Sequence, residues 1–319
     1  MRRFASALSG LICAAALVSS PVARADCLGV ELLAPEPPAP IPELGPNAAG
    51  PTTNDRSGRV IAPVFVNGQG PFRFLVDTGA NRSAVTPRLV ERLGLPPAGV
   101  GEVHSVHEMV VAPLVHVNGL SYGGVPLTSG RMPNLGGEVL ADLDGLLGTD
   151  ALHGRLLRID FDQRCLEIAP ARRASLMTGC TQLPAQKRSE DLILTQGRIQ
   201  DQRINIVIDT GSDSTFANIA LRDQLSLRAR PERDPMRAYT AGRPVILNSA
   251  LLIPSIVLGD VTARNIVAYV GDFHIFQYWQ LQQVPTLLIG MDVLSQARAL
   301  AIDYERGIVC VRVRTPRED

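Results

Sequence analysis

Two stretches of this 319-residue chain bring together residues that could do chemistry. Phe72-Arg73-Phe74-Leu75-Val76-Asp77-Thr78-Gly79-Ala80 and Ile204-Asn205-Ile206-Val207-Ile208-Asp209-Thr210-Gly211-Ser212 match in character at every position, 132 residues apart. Each is an aliphatic run ending in an aspartate. One copy alone has an ordinary explanation: a strand closes in a turn, Asp and Thr cap it, and Gly adopts a left-handed conformation. Two copies in register make Asp77 and Asp209 a candidate acid–base pair. Two carboxyls held about 3 Å apart cannot both ionise, so they share one proton. The ionised member can then take a proton from water while the protonated member polarises a carbonyl, with no metal, cofactor or covalent intermediate.

The elements that must position the pair repeat as well. Ser83 corresponds to Thr215, Leu89 to Leu221, Leu93 to Leu225 and Leu95 to Leu227, an apolar spacing that predicts a short helix after each Asp-Thr-Gly. Downstream, Asp144-Gly145-Leu146-Leu147-Gly148-Thr149-Asp150-Ala151-Leu152 resembles Pro285-Thr286-Leu287-Leu288-Ile289-Gly290-Met291-Asp292-Val293-Leu294. Closing strands follow at Arg158-Ile159-Asp160-Phe161-Asp162 and Ala301-Ile302-Asp303-Tyr304-Glu305. The chain therefore reads as one fold used twice, over 58–170 and 189–313, with a linker at 171–188 and a tail at 314–319. With 28 Gly and 24 Pro dispersed along it, a turn-rich all-β architecture is favoured and long helices are excluded. Only 14 residues are aromatic, so the core must be largely aliphatic.

The motifs Asp77-Thr78-Gly79-Ala80 with Leu146-Leu147-Gly148, and Asp209-Thr210-Gly211-Ser212 with Leu288-Ile289-Gly290-Met291-Asp292, resemble those of the aspartic proteases. More narrowly they are similar to the retropepsin-like branch, including its bacterial periplasmic two-repeat members. The resemblance covers about 240 residues. It implies two tandem acid-protease domains forming a pseudo-twofold bilobal structure, and an endopeptidase acting on peptide or protein substrates. Asp77 and Asp209 would be catalytic. Thr78 and Thr210 would hold the two loops together, Gly79 and Gly211 would permit close approach, and Ala80 and Ser212 would complete the loops. The alternative is a peptide-binding protein on the same fold with weak turnover. The halves would pair within a monomer, favoured by high effective concentration, or alternatively between two chains as a homodimer.

Beyond that resemblance, Ala80 and Ser212 make the loops unequal. A Ser212 hydroxyl bonded to the outer oxygen of the Asp209 carboxylate would favour its ionisation, leaving the shared proton on Asp77. The resemblance also implies substrate flaps. In the second half Ala238-Tyr239-Thr240-Ala241-Gly242-Arg243-Pro244 is the candidate, with Gly242 near the tip and Tyr239 either turning its hydroxyl toward the site or, the plainer reading, an ordinary strand tyrosine. Its counterpart Glu102-Val103-His104-Ser105-Val106-His107-Glu108 lacks a tip glycine, which predicts an asymmetric cleft.

Other signals are weaker. His104, His107 and His116 cluster, but no second His follows His107-Glu108 at the spacing of a zinc site. Gly119-Leu120-Ser121-Tyr122-Gly123 fits a serine-hydrolase elbow in letters, yet Gly124-Val125-Pro126 starts a helix poorly, so a hairpin turn is the better reading. Equal numbers of acidic and basic residues, 31 each, argue against nucleic acid as a partner.

The N-terminus reads as an export signal. Arg2 and Arg3 precede an apolar run, and Ala23-Arg24-Ala25 supplies small residues for cleavage after Ala25, predicting a periplasmic or secreted protein without a membrane anchor. Losing Arg2, Arg3 and Arg24 leaves 28 basic residues against 31 acidic ones. A proline-rich linker or pro-region fills 26–57, with ordered structure expected from near Gly58. Cys27, Cys165, Cys180 and Cys310 would remain, allowing three pairings into two disulfides.

Overall fold

The computed structural model describes residues 48–51, 53–54, 58–188, 192–226, 230–238 and 245–314. The aspartate-bearing strand of the first half, Gln69–Val76, pairs antiparallel with Val60–Val66, Ile61 opposite Leu75. The turn between them is Asn67-Gly68, both at positive φ (51° and 77°), the conformation that a tight hairpin demands. The strand's last residues, Phe74-Leu75-Val76, are all buried rather than alternating. The reason is that Gly145–Leu147 runs parallel beside them, Leu146 opposite Leu75, and both sheet faces are covered. Ala84–Val85 pairs with the other edge of Gly145–Leu147.

The second half repeats this construction. Leu192–Ile199 pairs antiparallel with Gln202–Ile208, which lies parallel to Thr286–Ile289, itself flanked by Thr215–Ala217. The predicted helices are Pro87–Leu93 and Ile219–Gln224. The first opens with proline and stops at Gly94 in the left-handed region. The second is capped by Asn218, whose side chain accepts from the Leu221 amide at 2.9 Å. Leu89 and Leu221, matched in sequence, are both fully buried.

The halves join through their closing hairpins. Arg155–Asp160 and Cys165–Pro170 form one, Ala299–Asp303 and Ile308–Arg312 the other, and Arg155–Asp160 pairs directly with Ala299–Asp303 from Leu156–Asp303 to Asp160–Ala299. One continuous sheet thus spans both halves, over an aliphatic core of Val, Leu and Ile from each. The fold is two tandem acid-protease-like domains related by a pseudo-twofold axis.

Two expectations change here. The 171–188 segment is more than a connection, because Thr181–Arg188 is a strand between Ile308–Arg312 and Leu192–Ile199. Strands also begin before Gly58: Ala48–Pro51 pairs with Cys165–Pro170, and Thr53–Asn54 with Val60 and Ile61. The proline-rich stretch and the signal segment lie outside the described residues. Of the pairings left open, Cys180 bonds Cys310, with Cα atoms 5.7 Å apart, and Cys165 is also in a disulfide. The Gly119–Gly123 motif is a hairpin: Leu120–Tyr122 turns at Gly123-Gly124 into Val125–Pro126. No helix among the described residues is long and apolar enough to cross a membrane.

Candidate active site

Both aspartates leave their strands at the same point. The Asp77 amide donates to the Leu147 carbonyl and the Asp209 amide to the Ile289 carbonyl, each at 3.0 Å. The Leu-Leu-Gly and Leu-Ile-Gly segments therefore fix where each aspartate begins. Each carboxylate is then clamped by its own loop. Asp77 Oδ1 accepts from the Gly79 and Ala80 amides at 3.0 and 2.9 Å. Asp209 Oδ1 accepts from the Gly211 and Ser212 amides at 2.9 and 3.2 Å.

The two loops interlock through Thr78 and Thr210, both fully buried. Thr78 Oγ1 donates to the Ile208 carbonyl at 2.7 Å and accepts from the Thr210 amide at 3.1 Å. Thr210 Oγ1 donates to the Val76 carbonyl at 2.6 Å and accepts from the Thr78 amide at 3.2 Å. Each threonine thereby satisfies backbone groups of the other half that would otherwise be buried without partners. The two carboxyls are near enough for the charge of Asp77 to act directly on Asp209. A Cβ on Gly79 would lie 2.5 Å from Asp209 Cγ, and one on Gly211 would press still closer on Asp77. Only glycine lets each loop approach the opposite carboxyl.

Ser212 does not act as the sequence suggested. Its hydroxyl donates to the Ser214 carbonyl at 2.7 Å and accepts from the Ser214 amide at 3.3 Å, closing its own turn. It gives Asp209 only a backbone N–H, as Ala80 gives Asp77. The expected hydroxyl–carboxylate bond is absent, and with it the reason to place the charge on Asp209.

A carboxylate support that sequence reasoning passed over lies beneath each loop, anchored on the buried Ser83 and Thr215. Asp150 Oδ1 accepts from the Ser83 amide and hydroxyl at 2.8 and 2.7 Å, while Ser83 Oγ accepts from the Gly148 amide. Asp292 accepts from the Thr215 amide and hydroxyl at 3.2 and 2.8 Å, while Thr215 Oγ1 accepts from the Gly290 amide. The signal was present, since Ser83 with Thr215 and Asp150 with Asp292 recur in both repeats. Nothing in the sequence said that they touch.

The aspartates sit at the floor of a cleft of about 390 Å³. Its first-half wall is aliphatic, with Leu75, Leu135, Leu140 and Leu146; the second-half wall carries Phe216, Ile275, Tyr278 and Trp279. A hairpin of Pro97–His104 and Met109–Val117 arches across it. Its tip docks on the second half's helix His274–Tyr278: Ile275 donates its amide to the Val106 carbonyl at 3.2 Å. His104 stacks on Tyr278, ring centres 3.8 Å apart, and its Nδ1 lies 2.9 Å from His274 Nε2. This is the hairpin expected around Glu102–Glu108, and Ser105, through its amide and hydroxyl, makes the tight turn with Glu108 that a glycine would have made. His107 and His116 are exposed, and neither lines the cleft as His104 does. Tyr239 and Gly242 lie outside the described residues; the strands Arg230–Ala238 and Val245–Leu258 flank them.

Electrostatics follow from burial. Asp77 is pushed above the ordinary carboxylate range by desolvation, offset in part by the Gly79 and Ala80 amides and by the charge of Arg59. Asp209, 7% exposed, is pushed well above it, first by desolvation and then by the negative charge of Asp77. Arg59 is the other residue that sequence reasoning missed. It lines the cleft floor, donating to the Val139 carbonyl at 3.0 Å and more loosely to the Gly211 carbonyl at 3.4 Å.

Comparison with known proteins agrees with this geometry. A family described as aspartyl protease matches residues 62–151 and 195–293, one stretch in each half and each containing an Asp-Thr-Gly loop. No curated protein matches the sequence significantly. A chain with two such matched stretches, two equivalent aspartate loops and one cleft between them belongs to the aspartyl protease family, in its retropepsin-like two-repeat form.

Proposed function

We propose that the protein is an aspartic endopeptidase, with Asp77 and Asp209 as its catalytic pair. The observation that carries this reading is reciprocal: each carboxyl lies against the glycine of the opposite loop, and both line the floor of one cleft roofed by a hairpin. Two carboxyls brought this close, Asp209 buried and Asp77 half-buried, hold one proton between them. The ionised member takes a proton from water as its oxygen bonds to the scissile carbonyl carbon, and the protonated member gives its proton to the carbonyl oxygen. The resulting diol collapses as the C–N bond breaks. The amine takes a proton from the first aspartate, the second recovers its own, and a carboxylic acid and an amine leave.

The cleft's apolar walls and strand-lined roof suit an extended peptide with apolar side chains beside the scissile bond. Thr78, Gly79, Ala80, Thr210, Gly211 and Ser212 support the loops. The Cys180–Cys310 disulfide favours an oxidising compartment, in keeping with export to the periplasm or beyond. The intrachain sheet favours a monomer.

Incubation with a mixture of unfolded proteins tests the reading. The wild type should cut it, and Asp77→Asn and Asp209→Asn should each slow cutting by about 10²–10⁴-fold, the usual worth of an acid–base group. Peptide binding without cleavage by the wild type would instead assign a binding protein on this fold.

A further inference from the structure

The pseudo-twofold axis makes the two loops nearly equivalent, so whatever distinguishes the aspartates must come from a residue with no mate. The strand registers identify one. Ile61 lies opposite Leu75 in the first half and Leu194 lies opposite Val207 in the second. Leu75 and Val207 are themselves equivalent, so Arg59 occupies the position that Leu192 occupies in the second half. Leu192 is buried in the apolar cluster with Phe216 and Trp279. Arg59 instead brings a guanidinium to the cleft floor, where it touches the 3₁₀ turn Glu138–Leu140 at Val139 and the second loop at Gly211.

We propose that Arg59 makes the two aspartates unequal, holding the negative charge on Asp77 and leaving the shared proton on Asp209. Asp77 is then the base toward water and Asp209 the acid toward the carbonyl oxygen. This is the opposite of the assignment suggested by Ser212, and it rests on the peptidase reading for its catalytic meaning.

The magnitudes favour Arg59 over its neighbours. Arg82, Glu102, Glu138 and Asp213 also line the cleft but are exposed, as is part of His104 and Tyr278, and water screens exposed charges strongly. Arg59 is only 9% exposed, so its field reaches the floor through a less polarisable medium. Its guanidinium reaches the carbonyl of Gly211, the glycine that packs against the Asp77 carboxyl, and its positive charge acts on Asp77 in the direction of ionisation. Asp77 is therefore the cheaper carboxylate to ionise, and its ionisation then confines the proton to Asp209. Arg59 touches neither water nor the carbonyl in this account and is a positioning residue.

The test isolates each aspartate. With aspartate carboxyl carbons labelled by ¹³C, Asp209→Asn leaves Asp77 alone to titrate, and Asp77→Asn leaves Asp209 alone. Each background is combined with Arg59→Gln, Arg59→Met and Arg59→Lys. The Gln variant keeps a hydrogen-bond donor and the Met variant keeps the aliphatic stem, so one covers for the other if folding suffers. Removing the charge should raise the Asp77 midpoint clearly more than the Asp209 midpoint, and Lys should restore most of the difference. Equal displacement of both aspartates, or none of Asp77, overturns the proposal. The titration needs no turnover, so its failure is distinct from a failure to cleave peptides. In a cleaving enzyme, Arg59→Gln should also move the acid limb of the kcat/KM profile upward, a change that a purely structural loss would not produce.

Discussion

At the scale of the residue, the cost of bringing two carboxyls together should be visible in stability. Burial and the charge of Asp77 raise Asp209 well above its ordinary value, so the folded state holds that proton more tightly than the unfolded chain does. Folding stability then falls as pH rises from the ordinary carboxylate range through the higher folded-state value, because the unfolded chain has already released the proton. Asp209→Asn removes the ionisable group at almost constant shape. It should stabilise the protein at pH 7 by about 1 kcal/mol, the size typical of relief at a functional site, and the gain should vanish near pH 4. Thermal unfolding of both proteins across pH measures this; a gain that persisted undiminished in acid would contradict it. The same burial predicts that the alkaline limb of activity lies well above the ordinary carboxylate range. Asp77, Asp209 and their Thr-Gly neighbours were legible from the repeat alone, because paired aspartates need identical strands and turns. The role of Ser212 was misread because a hydroxyl has several acceptors within reach, and the backbone of its own turn was nearer than the carboxylate. Arg59 was invisible, since it precedes the first matched residue and its counterpart is a leucine.

At the scale of the element, each Asp-Thr-Gly loop rests on a carboxylate below it. Asp150 accepts both polar hydrogens of Ser83, whose oxygen in turn holds the Gly148 amide. Asp150→Ala leaves those donors buried without an acceptor and should destabilise the protein by about 1–3 kcal/mol. It should lower kcat more than it raises KM, since a loop displaced by a fraction of an ångström misplaces Asp77. Asp150→Asn, which keeps an acceptor oxygen, should stay near wild type; equal damage from both variants would show that charge and not geometry matters there. The roof makes a second prediction. Docking of the hairpin tip relies on the His104–His274 contact as well as on the Val106 carbonyl. His274→Ala should speed amide hydrogen exchange at Ser105 and Glu108 relative to the strands behind them, and unchanged exchange there would mean that the tip is held without it. The strands and helices were readable because apolar spacing changes from helical to continuous where burial changes. Thr181–Arg188 was not: Thr181-Gln182-Leu183-Pro184-Ala185-Gln186-Lys187-Arg188 buries only Leu183, so it carries no apolar signature, and its strand form comes from pairing with Ile308–Arg312.

At the scale of the whole molecule, the two repeats are one working unit because the chain closes on itself. The Arg155–Asp160 and Ala299–Asp303 strands pair across the pseudo-twofold axis, Thr181–Arg188 continues the sheet, and the Cys180–Cys310 disulfide fastens the connecting segment to the final strand over 130 residues. Every one of these ties lies within a single polypeptide, which supports the proposal that Asp77 and Asp209 pair without a second chain. The central claim is that these two side chains form one acid–base unit in one molecule. The most direct measurement is kcat/KM on a peptide substrate for the size-fractionated monomer, for Asp77→Asn, for Asp209→Asn, and for an equimolar mixture of the two variants. The account predicts an active wild-type monomer, two variants each reduced by about 10²–10⁴-fold, and no recovery on mixing. Full activity in either variant, or activity restored by the mixture, would contradict it.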